Sequence, residues 1–354
     1  MERKRILEVV TPVIVVSVLA AVLVMTGCAP KPAPLEVAPP EVAEEVPTYK
    51  WRLQSVCTAG TMDLYCTPWV DNVEKMSGGR IEIDMYSSAE LVPDERSMVA
   101  LREGTIDVIQ YCSAFGPGVD VRDIENFLAG GWVNNIEGQM LMDRGLNEII
   151  EEAYHEYGVE YLGPWSNCRM VLISNRPIRT YEDLEGLRIS TVPAFADPFE
   201  GTGATIMSIP AEEIFMSGET GVIDAVYWGA AGEYVRYGWN EVFPYVLNDV
   251  FGVVRCNWVM NQDVWNSLPE DLKTIVNVAT RDNSWLVAGV MYEDAFTGLE
   301  QYKEVTHLSP EDYAKTMENC RAKWDERAAV SPRCAEYIRI VKEFNEEIEA
   351  TGFR

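Results

Sequence analysis

The chain alternates between a strand-like and a helix-like spacing of its apolar residues. Lys50-Trp51-Arg52-Leu53-Gln54-Ser55-Val56 has the alternation of a half-buried strand. Residues 62–77 then predict a helix closed by Gly78-Gly79, and Arg80 to Tyr86 a second strand. Pro93 opens the next helix, Gly104 ends it, and Ile106 to Tyr111 reads as a strand. Thr180-Tyr181-Glu182-Asp183 is a capping box for one short helical turn, which Gly186 closes before a strand over Leu187 to Thr191. From Pro269 onward the spacing is almost wholly helical, with a clear start at Ser309-Pro310-Glu311-Asp312. Strands alternating with helices predict an α/β body, with the late helices wrapped around it.

One internal repeat sharpens this picture. Val92-Pro93-Asp94-Glu95 returns as Ile209-Pro210-Ala211-Glu212, and Gly104-Thr105-Ile106-Asp107 as Gly221-Val222-Ile223-Asp224. The same offset carries Tyr111 onto Trp228. Each copy reads as Pro at a helix start, Gly past its end, and an apolar strand finishing on aromatics. Two similar lobes, each aiming a strand end at a shared crevice, is the economical reading, because ligands of open α/β sheets sit at the carboxyl ends of strands.

The first fifty residues set the compartment. Arg3, Lys4 and Arg5 precede an uncharged run from Val9 to Gly27, which ends at Met25-Thr26-Gly27-Cys28. This is the layout of a secretory signal, residues 1–27. Small residues directly before a cysteine resemble the bacterial lipobox, which implies acylation of Cys28. An uncleaved membrane anchor is the other reading of so long an apolar run. Both put the rest of the chain outside the cytoplasm. Residues 28–48, punctuated by Pro30, Pro32, Pro34, Pro39, Pro40 and Pro47, read as an extended tether.

Charge then narrows the partners. The net charge is −27, which argues against nucleic acid or an anionic membrane surface, since both call for a basic footprint. An anionic ligand has to be met by individually placed arginines. Seven cysteines follow Cys28 without any C-x-x-C, which leaves their pairing open and gives no metal motif. His155 and His307 are far apart in acidic surroundings and read as solvated. No nucleophile motif, zinc-protease motif, phosphate loop or dinucleotide fingerprint occurs, so the sequence predicts a binding protein without cofactor or metal rather than a secreted hydrolase. Tyr227 and Trp228 close a strand whose core side Ile223 and Val226 already supply, and so are candidates for a ligand-facing pair, as is Tyr111 in the first copy. Arg169 and Arg188 lie near or within strands, where a guanidinium needs either an internal carboxylate or a ligand.

An ordered set of short segments resembles the solute-binding proteins of TRAP (tripartite ATP-independent periplasmic) transporters, DctP-type, nearest the branch that takes 2-oxo and hydroxy acids. The segments are Lys50-Trp51-Arg52-Leu53, Ala89-Glu90-Leu91-Val92-Pro93, Glu103-Gly104-Thr105-Ile106-Asp107, Asn175-Arg176-Pro177-Ile178, Asp183 to Ile189, Gly221-Val222-Ile223-Asp224, and Asn261 with Trp265 and Leu268-Pro269. The resemblance implies a periplasmic-binding-protein-like α/β fold with a ligand cleft between two lobes, joined by crossing strands and a long helix. It places lobe I at 49–167 plus 256–297 and lobe II at 168–255 plus 298–354. It also implies capture of a small organic anion and delivery to TRAP permease subunits. The alternative use of the same body is as the ligand-binding part of a sensor or other uptake system.

Three positions depart from the family pattern. Ser190 stands where the family's carboxylate-binding Arg is expected, Arg169 where the nearest branch has Gln, and Tyr227 where that branch has a cation-binding Glu. The family's Trp is retained as Trp228. One account relocates the positive charge from position 190 to Arg169, which removes the need for a metal-binding Glu; the other is a ligand that is not a simple carboxylate.

Overall fold

Strand β1 (Tyr49–Ser55) buries Trp51 and Leu53 and leaves Lys50 and Arg52 exposed, so the alternation along it turns one face to the core. The computed structural model describes residues 47–116 and 118–352. The signal segment, Cys28 and the body of the tether lie outside the described residues. β1 is flanked by parallel β2 (Ile81–Tyr86) and β3 (Val108–Tyr111). β4 (Val159–Arg169) and the antiparallel β10 (Val253–Asn261) complete a five-stranded sheet in the order β2-β1-β3-β10-β4. The second sheet has six strands: β5 (Leu172–Ser174), β6 (Arg188–Ser190), β7 (Thr205–Met207), β8 (Ala225–Tyr227), β9 (Tyr245–Leu247) and β11 (Glu304–Thr306). Their order is β11-β9-β5-β8-β6-β7.

Three passages join strands of the two sheets, and a fourth carries the chain from β11 to a last helix on the first lobe. β4 ends at Arg169 in the first sheet, and β5 starts at Leu172 in the second. The return runs from Leu247 to Val253. The third passage is the helix Glu270–Leu299, 30 residues and so about 45 Å long, which packs on β4 and on the helix Ala231–Arg236 before the chain enters β11. Two glycines permit the second contact. A Cβ at Gly232 would stand 2.1 Å from the Asp294 carbonyl oxygen, and one at Gly298 2.5 Å from Gly232 Cα.

Local departures from the sequence reading have physical causes. The helix expected over 62–77 is two, Ala59–Tyr65 and Thr67–Met76, because Pro68 has no amide to donate across the junction and restarts the helix. The helix after Pro93 begins with the tighter turn Asp94–Arg96 before Ser97–Arg102. The last helix, Pro332–Thr351, falls by sequence in lobe II, yet Tyr337, Ile338, Val341 and Phe344 are buried with Ile124, Leu128 and Trp132 against the first sheet's strands and helices. Its apolar stripe finds its cover there.

The repeat is a shared device of strand pairing. In the first copy the Asp107 carboxylate accepts from Arg52 N (2.7 Å), Nε (3.0 Å) and Nη2 (3.2 Å) on the neighbouring strand. In the second, Asp224 accepts from Arg188 N (3.1 Å), Nε (2.8 Å) and Nη2 (2.9 Å). Gly104 and Gly221 precede these aspartates with φ of 74° and 66°, a conformation that other residues adopt at a cost. Arg188 holds the Asp224 carboxyl down at about 2, below its ordinary range. A lowered carboxylate pKa adds stability above its unfolded value near 4 and loses it as pH falls toward 2. Asp224→Asn is therefore expected to cost about 1 kcal/mol at neutral pH, allowing for solvent screening, and nothing below about pH 2. Urea titrations of both proteins across that range check it; an equal cost at pH 2 and pH 7 would refute the linkage.

A buried polar cluster supports β10. Glu125 is fully buried and accepts from Ser113 Oγ (2.6 Å), Tyr154 Oη (2.9 Å) and Asn257 Nδ2 (2.7 Å). Burial pushes its carboxyl above the usual range. Arg255, 2% exposed, donates to Tyr161 Oη and Met142 Sδ. The seven described cysteines are all free and buried. Burial raises Cys57 to about 12, so that thiol stays protonated and unreactive at neutral pH.

Candidate binding cleft at the lobe junction

Arg169 is the last residue of β4, at the point where the chain leaves the first sheet. Its guanidinium makes no hydrogen bond and no ion pair among the described residues, and lies 5.9 Å from the ring centre of Tyr292 on the long helix. A half-buried arginine without a carboxylate is unusual in this chain. Among the described residues, the other half-buried arginines, Arg80, Arg122, Arg188, Arg321, Arg327 and Arg333, all have one.

Arg169 lines a cleft of about 690 Å³, within the ordinary range for small-molecule sites. The other contributors are Asn134, which caps helix Asn135–Leu141 in the first lobe, the return segment Asn248-Asp249-Val250, Tyr292 on the long helix, and His307, Leu308, Pro310 and Tyr313 beyond β11. Asp249 is held in place, accepting from Leu308 N (2.7 Å) and bonded to His307 Nδ1 (2.9 Å). Tyr313 donates its hydroxyl to the Val250 carbonyl (2.9 Å) and stacks on Phe251. The cleft thus joins one free cation, a fixed carboxylate, amides and two phenol rings.

The remaining candidates lie elsewhere. Tyr227 is completely buried at the end of β8, edge-on to Phe127 of the first lobe and to Phe199, and close to Phe251. Its hydroxyl and that of Thr191 on the adjoining strand are buried without a partner. Ser190, 3% exposed, ends β6 opposite Val226 of β8. Phe251 therefore touches both the seam, through Tyr227, and the cleft, through Tyr313. Trp228 turns to its own lobe and stacks on Tyr237 and Trp239. Tyr111 is buried in the first lobe's core with an unpartnered hydroxyl. Arg188 is committed to Asp224.

Arginines also tie the lobes across the seam. Arg236 donates to Tyr65 Oη (2.6 Å) of the first lobe and pairs with Asp294 on the long helix. Arg327 stands between Asp123 (3.7 Å) and Asp197 (3.3 Å).

Asn134, Asp249, Tyr292, His307 and Tyr313 were not candidates by sequence. Only His307 had been singled out, as a solvated residue; its side chain is indeed 58% exposed, but at the rim of the cleft. A cation at the family position does not fit these residues: Tyr227 supplies a neutral phenol packed by three aromatic rings, with no carboxylate. Among the described residues no group of three or more His, Cys, Asp or Glu is placed to hold a metal ion. Nor is any described helix long and apolar enough to cross a membrane.

Comparison with known proteins agrees with this architecture. The C4-dicarboxylate-binding periplasmic protein DctP of Rhodobacter capsulatus is 23% identical over 257 residues, covering 72% of this chain and 76% of that one. A TRAP periplasmic solute-binding protein from Chromohalobacter salexigens, solved with bound (S)-(+)-2-amino-1-propanol, superposes with a TM-score of 0.77 at 27% identity, over 86% of this chain and 98% of its own. One from Pseudoalteromonas atlantica, solved with sodium and pyruvate, gives 0.72 at 20% identity, over 86% and 95%. The family model for bacterial extracellular solute-binding proteins, family 7 (DctP), matches residues 59–330, and the chain belongs to that family of TRAP-type solute-binding proteins.

Proposed function

We propose that this extracytoplasmic solute-binding protein captures a small organic acid in the cleft at the lobe junction, with Arg169 as the carboxylate anchor. The observation that carries the reading is the guanidinium of Arg169, which lines a ligand-sized cleft and has neither a hydrogen bond nor an ion pair. Leaving such a group unpaired in a half-buried position is costly unless a ligand completes it. A planar guanidinium matches a carboxylate with two parallel hydrogen bonds. The Rhodobacter relative is named for C4-dicarboxylates, and the Pseudoalteromonas structure holds pyruvate. Tyr227 takes a supporting place in this reading, in the seam that adjoins the cleft through Phe251, whereas Trp228 is stacked within its own lobe.

The same proposal has Cys28 acylated, residues 28–48 spacing the body from the membrane, and permease subunits receiving the ligand. Mass spectrometry on protein purified from the membranes of its own cells tests both halves. Native spectra are expected to show a retained small carboxylic acid, and denatured spectra an acylated N-terminal Cys28. Recovery of only non-acidic small molecules would refute the ligand class, and an unmodified Cys28 the anchor.

A further inference from the structure

We infer that the cleft selects a zwitterion: a small acid whose carboxylate meets Arg169 and whose ammonium group meets Asp249. The inference rests on the reading of Arg169 as carboxylate anchor and adds the second half of the ligand.

The cleft contains two opposite charges that do not meet. Arg169 stands at the end of the outgoing passage and Asp249 in the return passage; both line the same space, and no ion pair joins them. Their separation is built in. Asp249 Oδ1 is bonded to His307 Nδ1 at 2.9 Å and Oδ2 to the Leu308 amide at 2.7 Å, which ties the carboxylate to the strand end beyond β11. Only 13% of its side-chain surface is exposed. A carboxylate has about four acceptor directions, so these two contacts leave room for a further donor on each oxygen.

A purely anionic ligand would gain from Arg169 and be repelled by Asp249 within the same cleft. A ligand with a cationic nitrogen satisfies both ends. The selection against acids lacking the nitrogen comes from the unpaired carboxylate they would leave facing them.

Matched pairs that differ only at the 2-position decide the matter: L-alanine with L-lactate, L-leucine with L-2-hydroxyisocaproate, and L-phenylalanine with L-3-phenyllactate. Calorimetry near neutral pH is expected to show the amino acid binding at least about ten-fold more tightly in the pair whose side chain fits. Asp249→Asn, which keeps an acceptor for the Leu308 amide, is expected to remove most of that preference, weakening the amino acid and tightening the hydroxy acid that the carboxylate repelled. Equal or tighter binding of the hydroxy acids overturns the zwitterion assignment and leaves the carboxylate reading intact. An amino-acid preference that survives Asp249→Asn also overturns it. Binding of no member of any pair overturns both readings together.

Discussion

Arg169→Ala is expected to weaken ligand binding by about 30-fold or more, the usual consequence of removing one partner from a desolvated charge pair at about 2–5 kcal/mol. Arg169→Lys is expected to fall nearly as far, because an ammonium group cannot reproduce the two-pronged guanidinium contact. The effect should appear in affinity and leave the melting temperature nearly unchanged, since Arg169 makes no hydrogen bond or ion pair within the protein. Arg188→Ala supplies the contrast. That side chain is spent on Asp224, so its loss should lower stability and spare affinity. Binding is expected to persist in EDTA, because Tyr227, where the resemblance to the nearest branch leads one to expect a cation-binding Glu, is a buried phenol. Calorimetry on the variants with a ligand identified from the native protein, repeated with chelator, is the check. Near-native affinity in Arg169→Ala would remove the anchor from the cleft while leaving the family assignment in place.

Glu125→Ala is expected to be the most destabilising single change among the residues described, at about 3–5 kcal/mol. Three donors, from Ser113, Tyr154 and Asn257, lose their acceptor at once. The buried Arg255 guanidinium also loses its neighbouring opposite charge. Glu125→Gln keeps an acceptor and should cost markedly less. The cluster braces β10 close to where that strand returns from the second sheet, so the damage should spread to the lobe junction. Urea unfolding measures it; a loss below about 1 kcal/mol in Glu125→Ala would show that the cluster contributes little net stability.

The sequence was informative wherever a residue's environment is set by its near neighbours. Gly104 and Gly221 ended helices, Thr180 and Ser309 capped turns, and the repeat located Asp107 and Asp224. Even there it missed the repeat's purpose, because the strand neighbour that supplies each arginine is remote in sequence, Arg52 for Asp107 and Arg188 for Asp224. Arg169 was visible as a charge in apolar company. Its surroundings were not. Asn134, Asp249, Tyr292 and His307 come from four segments remote in sequence, and no local spacing reports such a meeting. The seam was hidden for a related reason: Phe127, Phe199 and Phe251 read as ordinary core residues, and only the fold shows that they pack around Tyr227 between the lobes. The last helix found its cover on the first lobe because its apolar stripe is satisfied by any matching groove, and sequence order does not say which.

The three passages between the sheets have a mechanical consequence. A single linker would let one lobe swing, slide and twist freely against the other. Here two short segments, a helix of about 45 Å and the return of the last helix all join the lobes, and the long helix is seated on helix Ala231–Arg236 at a glycine-to-glycine contact with no slack. Sliding would shear that contact, and twisting would stretch one segment while compressing another. Arg169 is the last residue of β4, beside the first of these connections, so a relative motion of the lobes is expected to displace its charge less than residues far from the junction.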